Sequence, residues 1–244
     1  MPWRLIPLLC CAFLLSGCMW LRLLDLKNQL QEFDRYVEVQ PGDGVELKFK
    51  EPVLRAADLD TLLNGQPTVA LAIPDDGEVR VYGFIHLDSP LGPDPVGSES
   101  VLTILVVIRH GVVESVTLPK EVFRVVPRDL ALRALRAFGH ANVDTANRRA
   151  EVRVEAVAGS IPDRSAILGL FGQANRLDPQ DGGGERLVWR YVLQGGRGPD
   201  APTDAVQPKA AIAFIFAAGS QIPRQFQANV GGVWVHLDLA VTPK

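Results

Sequence analysis

Short runs in which apolar and polar residues alternate recur along this chain, and that period of two restricts its fold more than any other feature. Val45-Glu46-Leu47-Lys48-Phe49-Lys50 alternates strictly. Successive side chains on a strand point to opposite faces, so such a run lies with one face on a core. The spacing predicts further strands over 79–85, 101–109, 112–118, 151–157, 188–193, 210–217 and 233–241. Residues 101–109 and 112–118 read as a hairpin turning at Arg109-His110-Gly111. Between these runs lie a few short helical stretches. One covers 55–63, closed by Asn64-Gly65-Gln66-Pro67. A second opens at Pro127-Arg128-Asp129 and carries Leu130, Leu132, Ala134, Leu135 and Phe138, and a third covers 164–171. Flexible loops are expected over 178–185, with three glycines, and over 195–208. The expected class is therefore α+β, with tandem units of short helices packed on antiparallel sheets behind an N-terminal helix. The units divide as 41–126 and 127–244.

The helix ends carry a repeat. Phe138-Gly139-His140-Ala141-Asn142 and Phe171-Gly172-Gln173-Ala174-Asn175 match in pattern, and Leu63-Asn64-Gly65-Gln66-Pro67-Thr68 ends in the same manner. Gly after a last helical turn is common by itself. The longer match points to duplicated helix-then-sheet segments.

The N-terminus says where the chain goes. Arg4 precedes an apolar run over residues 5–15. That run is shorter than the roughly 20 apolar residues of a spanning helix and suits the core of a secretion signal. It ends in Leu15-Ser16-Gly17-Cys18, which resembles a bacterial lipobox. The resemblance implies cleavage between Gly17 and Cys18, removal of residues 1–17, and lipidation of Cys18. Cys10 and Cys11 leave with the signal, so no free thiol remains. Met19 follows the cysteine where the resemblance would put Asp for inner-membrane retention. It therefore implies an outer-membrane anchor on the periplasmic side. Leu23, Leu26, Leu30, Phe33 and Val37 then form a narrow apolar stripe, read as a lipidated tether helix over 18–40 that ends at Pro41-Gly42-Asp43-Gly44. Loss of Arg4 takes the formal charge from −3 to −4. With Lys and Arg scattered, nucleic acid is not an expected partner.

In the second half, Ala166-Ile167-Leu168-Gly169-Leu170-Phe171-Gly172-Gln173-Ala174, Trp189-Arg190-Tyr191 and Ile212-Ala213-Phe214-Ile215-Phe216 follow one another. Leu62-Leu63-Asn64-Gly65-Gln66-Pro67, Tyr82-Gly83-Phe84 and Leu102-Thr103-Ile104-Leu105-Val106 follow a similar order in the first half. This succession resembles the SmpA/OmlA family, the small lipoprotein of the outer-membrane β-barrel assembly machine, and its β-lactamase inhibitory protein-like relatives. The resemblance implies helical segments on antiparallel sheets and a role in envelope assembly.

Catalytic motifs are missing from the sequence. It holds no Gly-x-Ser-x-Gly, Ser-x-x-Lys or His-Glu-x-x-His, and Gly195-Gly196-Arg197-Gly198 runs into Pro199 rather than a phosphate-binding Lys-Ser/Thr. Asp178, Asp181 and Glu185 lack the alternating oxygen ligands of a calcium loop and read as an acidic loop. His86-Leu87-Asp88 and His236-Leu237-Asp238 repeat a triplet. It reads as a solvent-facing His and Asp with Leu turned to the core, rather than as a metal or acid–base site. Arg190 alternates with Trp189 and Tyr191, so it and nearby Arg186 are the candidate partner surface. The expected function is that of a non-enzymatic, membrane-anchored lipoprotein that binds or scaffolds an envelope protein, with no cofactor and no metal. The alternative is a carrier or sensor of an apolar ligand held between helix and sheet.

Overall fold

The computed structural model describes residues 19–40, 42, 44–63, 65–87, 101–157, 159–194 and 210–242. The period-two rule is plainest in β8 (Arg149–Val157). Ala150, Val152, Val154 and Ala156 are buried while Arg149, Glu151, Arg153 and Glu155 are exposed. In β10 (Glu185–Leu193) Leu187, Trp189, Tyr191 and Leu193 turn to the core. Trp189 and Tyr82 are 0% and 1% exposed. Each such aromatic removes some 150–250 Å² from water, roughly 4–6 kcal/mol as an upper bound.

The remaining strands are β1 (Val37–Gln40), β2 (Val45–Phe49), β3 (Val69–Ile73), β4 (Gly77–His86), β5 (Val101–Arg109), β6 (Val112–Leu118), β7 (Asn142–Asp144), β9 (Arg176–Pro179), β11 (Ala210–Phe216), β12 (Pro223–Val230) and β13 (Val233–Thr242). All thirteen strands among the described residues join one sheet in the order β1-β2-β6-β5-β4-β10-β11-β12-β13-β8-β7, with β3 also on β4 and β9 also on β10. Every pairing is antiparallel except β13 with β8, which is parallel. This overturns the expected α+β class. The fold is mainly β, one continuous mixed sheet with few helices, rather than tandem units of helices on separate antiparallel sheets. Two long-range pairings are responsible: β4 with β10 in the middle, and the C-terminal β13 beside β8.

The repeat belongs to the strand order and its edge bonds. In each half a helix is followed by a short strand, a long strand and further strands, β5 and β6 in the first half and β11, β12 and β13 in the second. The equivalent strands β4 and β10 pair with each other through His86–Tyr191, Ile85–Val192 and Phe84–Leu193. Their flanking bonds correspond: Gln194 N donates to Gly83 O and Leu87 N to Arg190 O, while Thr68 N donates to Val81 O and Asn175 N to Val188 O. The side chains of Thr68 and Asn175 both straddle the junction. Thr68 Oγ1 accepts from Gly83 N and donates to Gln194 O. Asn175 Oδ1 accepts from Arg190 N and from the His86 ring. The matching glycines differ in purpose. Gly172 has φ +72, a conformation that favours glycine. Gly139 is right-handed helical, and a Cβ there would strike the backbone of Gln31 and Leu30.

The helices are α1 (Met19–Gln31), α2 (Phe33–Tyr36), α3 (Ala56–Leu63), α4 (Arg128–Phe138) and α5 (Arg164–Phe171). Asp163 caps α5 by accepting from Ala166 N at 2.8 Å. Ile167 of α5 and Leu59 and Leu63 of α3 pack on the core face of the central strands. α4 has two apolar faces. Leu130, Ala134 and Ala137 lie against β8, and Leu132 and Leu135 against the cluster of Leu30, Phe33, Val37, Val45 and Leu47. It thereby links the two ends of the strand order.

The tether helix expected over 18–40 is also different. Glu32, with non-helical φ −106 and ψ 48, separates α1 from α2, and extended Val37 starts β1. Val37-Glu38-Val39-Gln40 alternates as a strand does, and β-branched Val favours that state. α1 is fastened to the body. Arg22 Nε and Nη2 donate to the Asp58 carboxylate at 2.7 and 2.5 Å, and Gln29 Nε2 donates to Glu51 O at 2.7 Å. The stretch expected as a flexible loop over 178–185 is instead β9, a tight turn with Gly182 and Gly183 at φ +73 and +77, and the start of β10.

Candidate functional site

All five described helices lie on the core face of the sheet. The other face, which carries no described helix, takes the alternate residues of each strand. In its second half these are Arg186 and Arg190 on β10, Gln225, Gln227 and Asn229 on β12, Trp234, His236 and Asp238 on β13, and Arg149 and Glu151 on β8. Register sets them side by side, with Gln227 opposite His236, Asn229 opposite Trp234, and Trp234 beside Arg149. The middle of the face is closed, since Val188, Ala213 and Ile215 are buried. The open part is a groove of about 430 Å³ lined by Asn147, Arg149, Arg186, Gln227, Trp234 and His236.

Arg186 is held in one pose there. Its Nε donates to Gln227 Oε1 at 3.0 Å and its Nη1 pairs with Asp178 at 3.1 Å. The guanidinium carbon lies 5.9 Å from the centre of the Trp234 ring, within reach of a cation–π attraction. Gln227 Nε2 donates to Gln225 Oε1 at 2.7 Å, and Gln225 Nε2 to Asp238 Oδ1 at 2.5 Å. This amide relay pins Gln227 and therefore Arg186. His236 meets Trp234 edge-on at 6.1 Å. Burial, and then the nearby Arg149, hold the His236 pKa below its ordinary value, so the ring is neutral near pH 7. Arg149 pairs with Glu151 at 2.6 Å. Both arginines have acidic partners, so the groove is an amphipathic recess rather than an anion trap. Its guanidinium N–H groups suit a neutral carbonyl oxygen, and the indole suits an apolar group.

Of the two arginines expected as a partner surface, Arg186 lines this groove and Arg190 does not. Arg190 sits at the β4–β10 junction, its amide on Asn175 and its carbonyl on Leu87. Gly17 and Cys18 lie outside the described residues. The His triplets part company. His236 is on the groove face and Leu237 packs inward, but His86 is buried on the core face. His86 lies 5.6 Å from Tyr191 and donates to Asn175 at 2.9 Å, which corrects its expected solvent position, and Asp88 lies outside the described residues. Asp178 and Glu185 pair with different arginines on opposite faces, Asp178 with Arg176 and Arg186, Glu185 with Arg164. Among the described residues no three His, Cys, Asp or Glu side chains stand together as metal ligands would.

Sequence reading missed Trp234, Gln227 and Arg149. The available signal was Trp234 and His236 alternating with Val233, Val235 and Leu237. The face also extends into the first half of the sheet, where Val69 and Leu71 of β3 are 41% and 58% exposed. No described helix is long and apolar enough to cross a membrane. No family model, no curated protein and no solved structure matches this chain.

Proposed function

We propose that the chain is cut before Cys18, lipidated there, held on the periplasmic side of the outer membrane, and binds an envelope protein without catalysing a reaction. The observation that carries the binding reading is the Arg186–Trp234 unit in an open groove on the face without described helices. Trp and Arg dominate binding energy at protein interfaces when they are presented rigidly, and Arg186 is presented rigidly by Gln227 and Asp178. The exposed aliphatic Val69 and Leu71 add apolar area on the same face. The SmpA/OmlA-like succession of helix end, aromatic strand and apolar strand supports a place in envelope assembly. Against catalysis stands the separation of His86 and His236 onto opposite faces, which leaves no pair to act together.

A photo-crosslinking residue in place of Asn229, beside the groove, tests this in intact cells. A discrete protein adduct is expected, and Trp234→Ala should abolish it while the purified variant still unfolds in one cooperative transition. Adducts to lipid alone would favour the carrier reading, and an adduct indifferent to Trp234→Ala would remove the groove from binding.

A further inference from the structure

We infer that the N-terminal end of α1 is itself a membrane-contacting element, which enters the lipid headgroup region and holds the body upright and close to the bilayer. The inference rests on the lipidation of Cys18 proposed above and adds a surface and an orientation to it. Cys18 directly precedes Met19, the first described residue of α1. No linker therefore separates the acylated residue from the folded body. α1 cannot swing as a loose tether, because Arg22 and Gln29 bind it to Asp58 and Glu51 and Leu30 is in the core.

The exposed positions of α1 change character along its length. Leu21 and Leu24 are 58% and 36% exposed. The exposed positions that follow are Asp25, Asn28 and Gln31. A helix lying flat on a membrane needs an apolar stripe along its whole length. Here the apolar exposure stops after Leu24, and at 1.5 Å per residue Asn28 lies roughly 6 Å further along the axis. Amphipathic segments bury about 5–10 Å into the headgroup and acyl boundary, so this pattern fits entry by the helix end. Trp20, beside the anchor, takes the interfacial position that indole rings favour. The occupant of Leu21 and Leu24 is a phospholipid surface, because the adjacent acyl chains place one there.

The test uses residues 18–244, in which Cys18 is the sole cysteine. Its thiol is coupled to a maleimide-bearing lipid in vesicles of phosphatidylethanolamine and phosphatidylglycerol, so the result does not depend on cellular lipidation. Trp234→Phe removes the half-buried groove indole, and subtraction of a Trp20→Phe control leaves the Trp20 signal. Brominated acyl chains should quench Trp20, and Leu21→Ser with Leu24→Ser should cut that quenching by about twofold or more. The denaturation midpoint should stay unchanged, because both leucines are exposed. In a Trp20→Phe background, Asn28→Trp should escape quenching. Unquenched Trp20 with water-like emission would overturn the inference, and equal quenching at positions 20 and 28 would overturn the upright orientation. The mass of the protein from cell envelopes reports separately on lipidation: an unmodified Cys18 there would sink the anchoring proposal, whatever the vesicles show.

Discussion

Removing the Arg22 guanidinium should weaken the whole fold. The Asp58 side chain is 3% exposed and the Arg22 side chain 19%. Arg22→Ala strands a buried carboxylate that retains the Arg55 N–H at 2.8 Å. Breaking a buried pair from one side costs about 3–5 kcal/mol. The remaining hydrogen bond and the partial exposure of Arg22 put this case near the lower end, about 3 kcal/mol. For a domain of this size that is a fall in Tm of roughly 6–12 °C. Urea denaturation of residues 19–244 at pH 7 measures it. Asp58→Asn in the same chain should recover part of the loss, because a neutral side chain tolerates burial better and still caps α3. The pH dependence has a definite sign. The Arg22 hydrogen bonds hold the Asp58 pKa below its ordinary value. Their stabilisation is complete above the unfolded carboxylate pKa of about 3.9 and is lost as pH falls through the lower folded value. The unfolded state is common to both chains, so the gap between Arg22→Ala and the parent should start to narrow where the stranded Asp58 of the variant takes up its proton, above the ordinary carboxylate value because burial opposes its charge, and should go on closing as pH falls through the lower folded value of the parent. A loss under about 0.5 kcal/mol at pH 7 would refute the reasoning that the Arg22–Asp58 pair fastens α1 to the body.

Two glycine substitutions should act in opposite directions. Gly139→Ala drives a Cβ into the α1 backbone and should cost about 2 kcal/mol or more in equilibrium denaturation. Gly169→Ala in α5 meets nothing within 4 Å and should gain about 0.5–1 kcal/mol. His86→Ala should lower stability by about 2 kcal/mol through loss of the Asn175 bond and the Tyr191 contact, whereas His236→Ala should stay within about 0.5 kcal/mol; equal losses would contradict the assignment of the two rings to different faces. The His236 ring should titrate by NMR below the ordinary histidine value, and Arg149→Ala should move its midpoint upward. Because the folded state resists that proton, His236 removes stability only as pH falls below the unfolded histidine value of about 6.5.

Features that depend on neighbours along the chain were legible in the sequence. The alternation in β8 sorts Ala150 to Ala156 inward and Arg149 to Glu155 outward without reference to any other strand. The β5–β6 hairpin turns at His110 and Gly111, which take φ +49 and +76, as a tight two-residue connection requires. The apolar positions of α4 were legible too, but not that Leu130 and Leu132 serve different cores. β1, β3, β7, β9 and β12 went unread. They are short, or polar, or begin with Pro223, and their pairing partners rather than their composition make them strands. The fold class was misjudged for the same reason. The β4–β10 junction and the parallel β13–β8 ladder join segments far apart in the chain, and no local preference encodes which edge meets which. The groove follows suit. Arg186 meets Gln227 and Trp234 only because β10, β12, β13 and β8 come into one register, so tertiary structure alone decided that this arginine, and not Arg190, faces an open recess.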